Sequence, residues 1–370
     1  MKQQLIGAKI ILGAFIVIIC FSWLWWGLFG SFIDTNNYEN RNLATAPQFT
    51  PDNYLTYSKD YTNYFNDTMP FRNNLITLNN EIDYFIFHKS SNDNVIIGEN
   101  NWLFYSQKED GDSIACYQGS NLYTDKELAA IAQNCVNQRD VLLSEGKDFV
   151  IFIAPNKERI YSEYMPSRYG KPAENYGVLQ IYNYLKKNTD LTVVYPYAEL
   201  MDAKEHLVEN IYYKTDTHWN DIGGYVGASA LVKELGIYMP QIYDEQISII
   251  KEDKTAGDLA GMLNLVKELR FADHDYTIEG YNLHNREELL WEELEMISYR
   301  AYDADPRTIY IIRDSFSAAM APYIGSQFNT TYLRFRESYT YEDLIKHNPD
   351  IVVYETVERY AGNLASFRIR

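Results

Sequence analysis

The sequence predicts an α/β protein: a three-layer sandwich on a mostly parallel sheet, preceded by one N-terminal transmembrane helix. Two observations carry this reading. Short apolar runs recur between segments of helical periodicity, at 149–154 (FVIFIA), 191–194 (LTVV), 309–312 (IYII) and 351–354 (IVVY). Such runs fit strands covered on both faces by crossover helices. In addition, no charged residue interrupts Ile10 to Ile33, a run longer than the ~20 residues a spanning helix needs.

At the N-terminus, Lys2 and Lys9 precede the apolar run and Asp34 follows it, while Trp23, Trp25 and Trp26 lie toward its outer half. The positive-inside rule and the aromatic belt then place the N-terminus in the cytoplasm and the rest outside the cytoplasmic membrane, extracellular or periplasmic. A cleaved signal peptide would have a core of ~7–15 residues and a small-x-small site; Gly27, Gly30 and Ser31 offer a poor one. The expected organisation is a cytoplasmic N-terminus and anchor (1–33), a linker (34–53) and one domain (54–370).

Within 54–370, residues 54–89 carry apolar residues at helical spacing, interrupted at 68–72 (TMPFR). Residues 94–106 read as a hairpin turning at Gly98–Asn101. Thr124 with Glu127 three residues on forms a capping-box signature for a helix ending near Gly146. A strand follows at 148–155, then a helix near 174–189 and a strand at 191–196. A further helix spans 221–235, and strands are expected at 308–315, 330–335 and 350–355. Acidic, Tyr-rich 240–300 breaks this rhythm and reads as an insertion.

The formal net charge of −18 argues against nucleic acid, whose phosphates require a basic face. The 33 tyrosines suit sugar surfaces and protein interfaces, or simply replace Phe. Cys20 lies in the apolar run; Cys116 and Cys135 remain as a pair, bridged or free.

Two motifs carry chemistry. In 308–317 (TIYIIRDSFS), Ser315 follows a buried strand on a sharp turn, where a nucleophile is exposed and neighbouring amides can receive an oxyanion. Taken alone, Ser315 reads first as the N-cap of a helix starting at Phe316. In 215–220 (TDTHWN), Asp216 and His218 share a face if the segment is extended, so the carboxylate can orient the imidazole. Rival readings are a helix-capping turn and a metal site, but no third cluster of His or Cys has ligand spacing. Trp219 packs against the sheet if the segment stays extended, or forms a stacking platform for sugar if it bends.

Together these motifs resemble the SGNH-hydrolase-like proteins of bacterial polysaccharide O-acetylation, the AlgJ/AlgX and DHHW relatives. Supporting stretches are 69–75 (MPFRNNL), 101–105 (NWLFY), 154–166 (APNKERIYSEYMP) and 349–360 (PDIVVYETVERY). The resemblance implies Ser315 as nucleophile, His218 as base and Asp216 as orienting carboxylate, in an order permuted relative to ordinary SGNH hydrolases. It implies acyl transfer, an O-acetyltransferase, which the apolar run anchors to the outer face of the cytoplasmic membrane; no cofactor or metal is expected. The acceptor would be a polysaccharide, and a membrane-bound O-acyltransferase would pass acetyl across the cytoplasmic membrane. A polysaccharide O-acetylesterase and a non-catalytic carbohydrate-binding subunit are the alternatives. Arg313 stands where simple SGNH enzymes carry Gly, at the entry to the oxyanion hole, and joins Trp219 as a candidate substrate-binding residue. Thr217 replaces the first His of the DHHW signature; on the alternation argument it points away from the site and matters little.

Overall fold

A computed structural model describes residues 43–69 and 71–370, with scattered positions before residue 31. The predicted membrane run falls mostly outside the described residues, as does most of the first half of the linker. Among the described residues, no helix is long and apolar enough to cross a membrane.

The chain forms two compact units, residues 1–91 with 261–265, and residues 92–260 with 266–370. In the first, helices Tyr57–Thr68 and Arg72–Glu81 follow each other across the turn that holds Phe71 at φ 62°. Asn80 Nδ2 donates to the Leu263 carbonyl at 2.6 Å, and Asn264 Nδ2 to Thr77 Oγ1 at 2.6 Å.

The second unit opens with the predicted hairpin, β1 (Val95–Ile97) and β2 (Leu103–Tyr105). Its main sheet contains β3 (Asp148–Ala154), β4 (Thr192–Val194), β7 (Glu287–Trp291), β8 (Met296–Arg300), β9 (Asp305–Arg313), β10 (Phe328–Phe335) and β11 (Ile351–Val357). The order is β4-β3-β11-β9-β10-β8-β7. The five strands from β4 to β10 are parallel, and β8 and β7 add antiparallel at the β10 edge. The sheet is therefore mixed, and the reading of 240–300 as a plain insertion needs correction. Strands β7 and β8 belong to the main sheet, while β5 (Ile247–Asp253) and β6 (His274–Gly280) pair as a separate hairpin.

Alternation along the strands builds the three layers. Val150, Phe152 and Ala154 of β3 join one core cluster; Phe149, Ile151 and Ile153 join the other. The first face is covered by helices Asp221–Glu234 and Ser317–Gly325 through Ile222, Leu231, Met320 and Ile324. The second is covered by Asp125–Ser144 and Gly177–Asn188 through Leu128, Ile131, Ile181 and Leu185. Each fully buried aliphatic side chain contributes about 1.5–3 kcal/mol. The capping box forms as its spacing predicts: Thr124 Oγ1 accepts from the Glu127 amide, and Glu127 accepts from the Thr124 amide. Cys116 and Cys135 are both free and buried. Asn121 Nδ2 donates to the Cys116 sulfur at 3.1 Å, and Cys135 faces the Leu364 carbonyl.

Candidate active site

Strand β9 ends at Arg313, and the Asp314–Ser315–Phe316 turn leads into helix Ser317–Gly325. Asp314 fixes this turn. Its carboxylate accepts from the Phe316 amide at 3.0 Å and from the Val357 amide at the end of β11 at 2.8 Å. Its own amide donates to the buried Glu355 carboxyl at 2.8 Å. Ser315 makes no capping bond; its hydroxyl lies 2.7 Å from His218 Nε2.

The His218 segment is a tight hairpin-like loop. Tyr212 bridges to Trp219, and the Asn220 amide donates to the Ile211 carbonyl at 3.2 Å. Within it, the His218 amide donates to Asp216 Oδ1 at 3.0 Å, while His218 Nδ1 lies 2.7 Å from the same oxygen. With Nδ1–H given to the carboxylate, Nε2 is left to accept the serine proton. The Phe316 ring packs on the imidazole with centroids 4.8 Å apart.

Several groups hold the loop. The buried Lys157 ammonium donates to the carbonyls of Lys214 at 2.9 Å and Asp216 at 2.8 Å. Burial pulls Lys157 down to about 8, opposed by Asp273, Glu158, Asp216 and Asp258. Asp273 accepts from the amides of Lys214 and Thr215 and from the Thr215 hydroxyl. Asn220 caps helix Asp221–Glu234, its Oδ1 accepting from the amides of Ile222 and Gly223.

A second carboxylate, Asp258, completes the group. Its Oδ2 accepts the Thr217 hydroxyl at 2.6 Å and its Oδ1 the Thr217 amide at 2.8 Å. The Asp258 amide donates to Asp216 Oδ2 at 3.1 Å. A Cβ at Gly257 would collide with the Asp216 side chain, so this close approach requires glycine. Thr217 thus faces the site, contrary to the alternation argument, because the loop bends at Asp216 rather than running extended.

Burial alone would raise Asp216, but its hydrogen bonds with His218 and the His218 charge hold it well below the usual carboxylate range. Burial lowers His218, and the hydrogen bond and charge of Asp216, with the charge of Asp258, more than reverse this and raise it. Burial and then the Asp216 charge raise Asp258. Asp216, His218 and Asp258 also form the one acid–imidazole group able to converge on a cation among the described residues. Their donor atoms are engaged with one another and with Thr217, which suits proton handling.

Neither candidate substrate-binding residue lies in the cleft. Trp219 is 1% exposed, donates from Nε1 to the Phe316 carbonyl at 2.8 Å, and packs edge-on against Phe152 and Phe316. Arg313 is 0% exposed; its guanidinium donates to the carbonyls of Asp314 and Glu293 beside the Phe335 ring. Both side chains are packed in the interior: Trp219 takes the packing role that was one of its two readings, and Arg313 departs from its substrate-binding reading.

The fold, with Ser315, His218 and Asp216 in contact, defines a class, α/β domains of the SGNH hydrolase-like type. Residues 95–318, more than half of the chain, match the family model described as SGNH hydrolase-like domain, acetyltransferase AlgX, and the chain belongs to that family. It is 28% identical over 176 residues to the probable alginate O-acetylase AlgJ of Pseudomonas putida, covering 46% of this chain and 42% of that protein. To the Pseudomonas syringae protein of the same name it is 24% identical over 238 residues, covering 60% and 54%. The chain thus spans about half the length of these curated relatives. A DHHW family protein from Eubacterium siraeum shares the fold at a TM-score of 0.52 and 13% identity, over 74% of this chain and 98% of that one.

Proposed function

We propose that the chain is an O-acetyltransferase that moves acetyl through Ser315 to a hydroxyl of an exported or cell-surface polysaccharide. The observation that carries this is the relay of Asp216, His218 and Ser315, with 2.7 Å at each link. Ser315 Oγ attacks the acetyl carbonyl while His218 Nε2 takes its proton; His218 then activates the acceptor hydroxyl against the acetyl-serine. The oxyanion that develops on the acetyl carbonyl needs a donor beside Ser315 other than the Phe316 and Asp314 amides, which Asp314 and Glu355 already hold. The names of the curated relatives support the acetyl and polysaccharide parts. The apolar run 10–33 supports anchoring, with the domain outside the cytoplasmic membrane beside a membrane-bound O-acyltransferase that delivers acetyl.

The test uses the full chain in detergent with p-nitrophenyl acetate, and cells scored for polymer-bound acetyl. Ser315→Ala is expected to lose at least about 10³-fold in ester turnover and to abolish polymer acetylation while melting like the parent. Acetylation undiminished in Ser315→Ala cells overturns the reading. Adding a saccharide acceptor distinguishes transfer, which consumes ester faster with acceptor present, from simple hydrolysis.

A further inference from the structure

Strands β9 and β11 are parallel neighbours, paired from Ile309–Ile351 to Ile312–Tyr354. Ser315 lies two residues beyond the end of β9, and Arg359 lies two residues beyond the end of β11. Asp314 bridges the two strand ends through the amides of Phe316 and Val357. The sheet therefore delivers a serine and an arginine at equivalent positions of adjacent loops, on the edge where ligands bind in such sheets.

The Arg359 guanidinium is held by aromatic rings. Its carbon lies 5.0 Å from the Tyr360 ring centre, 5.6 Å from Tyr105 and 5.8 Å from Phe316, the residue after the nucleophile. Its Nε is buried without a hydrogen-bond partner, and among the described residues no carboxylate forms an ion pair with it. The surrounding acids are occupied. Asp110 accepts the hydroxyls of Tyr105 and Tyr360, Glu158 accepts the Tyr105 amide, and Asp314 accepts its two amides. In a chain of net charge −18, this guanidinium beside the Phe316 ring keeps its Nε without a partner and, among the described residues, has no carboxylate at ion-pair distance. Tyr105 and Phe316 orient it by ring-face attraction; burial opposes its charge, while the Tyr360 hydroxyl and the charges of Asp314 and Glu158 more than offset burial and keep it protonated.

We propose that Arg359 is a further catalytic residue, whose guanidinium donates to the acyl oxygen as the tetrahedral intermediate forms. The inference rests on the proposed acyl transfer at Ser315. In that step the Ser315 Oγ–carbon bond forms, the serine proton passes to His218 Nε2, and the carbonyl π pair moves to oxygen, where Arg359 receives the charge. Collapse restores the carbonyl and expels the alcohol of the acetyl ester donor, which leaves with the His218 proton. A planar fork of donors in a site screened by aromatic rings suits this role better than an ammonium.

The same charge opposes protonation of His218, against Asp216 and Asp258, which favour it. This gives a readout that a merely structural arginine would not move. In the full chain with p-nitrophenyl acetate, Arg359→Met is expected to lower kcat by about 10²-fold and to move the acid limb of kcat/KM to higher pH. Millimolar guanidinium should restore part of the rate. Arg359→Lys keeps the charge, so its acid limb should stay in place while kcat still falls; it also decides the matter if the Met variant does not fold. A folded Arg359→Met with kcat within about threefold of the parent overturns the inference, as does a loss without limb shift or guanidinium rescue. So does an Arg359→Lys with parental kcat. Ser315→Ala run in parallel separates the two readings. If it is inactive while Arg359 variants are unaffected, only the arginine role fails; if it is fully active, the acyl-serine reading fails first.

Discussion

Thr217 and Asp258, 41 residues apart, are joined twice, hydroxyl to Oδ2 at 2.6 Å and amide to Oδ1 at 2.8 Å. The Asp258 carboxylate is thereby fixed beside the Asp216–His218 pair, where its charge favours the protonated imidazole. Asp258→Asn keeps the shape and removes the charge. His218 must be neutral to accept the serine proton, so the acid limb of kcat/KM should move to lower pH, opposite in sign to the Arg359→Met shift. A pH–rate profile of ester hydrolysis reads this directly; an unmoved limb would show that His218 does not feel Asp258.

Asp216→Asn tests the relay itself. A carboxamide neither fixes the Nδ1–H tautomer nor stabilises the imidazolium, so kcat should fall about 10³–10⁴-fold at pH 7. Single-turnover acylation should slow by the same factor. A fall of less than tenfold would assign Asp216 to holding the loop.

Trp219→Ala removes a buried ring that helix Asp221–Glu234 is shaped to receive. A Cβ on Gly223 would already crowd Trp219 Cβ at 2.6 Å, and one on Gly227 would crowd the Trp219 ring at 2.9 Å. The cost should be about 3–5 kcal/mol, read as a lower urea midpoint together with lost activity. Unchanged stability with weakened use of a saccharide acceptor would instead restore Trp219 as a platform.

Glu355 predicts how stability responds to pH. Burial first, then the neighbouring Asp314 charge, raises it well above its ordinary 4.5. A group raised in the folded state binds more protons there than in the unfolded chain. Its contribution is full below about 4.5 and is lost as pH climbs toward the folded value. Glu355→Gln keeps an acceptor for the Asp314 amide and should flatten the fall in melting temperature above pH 4.5. An equally steep variant would assign that slope to other groups, among them Glu358, which is also raised by burial.

The strand–helix alternation was legible because each core strand of the parallel part is a short apolar run, and the contact of Asp216, His218 and Ser315 was legible because its members sit in two compact motifs. Asp258 was not, since one carboxylate among 51 acidic residues gives no local signal. The Gly257–Asp258 pair after 254–256 (KTA) is the only mark it leaves. Strand β7 went unread because 287–295 (EELLWEELE) mixes acids and apolar residues without clean alternation, and β8 because 296–300 (MISYR) is only five residues long. Thr217 was misplaced because alternation assumes an extended backbone, whereas the Asp216 side chain captures the His218 amide and bends the loop. Arg313 and Trp219 look like cleft residues in one dimension, but hydrogen bonds to main-chain carbonyls draw both into the interior.

Strand β11 lies between β3 and β9 in the sheet, yet follows every other strand of that sheet in sequence. During synthesis β3 and β9 therefore emerge with unpaired edges and wait for the strand that joins them, far along the chain from β3. Closure depends on a long-range pairing, which is slow and leaves edges open to wrong partners. The Asp314 bridge to Val357 forms only when that strand arrives, so the Ser315 turn is locked at the end of folding, and a nascent chain carries Ser315 before that turn is fixed.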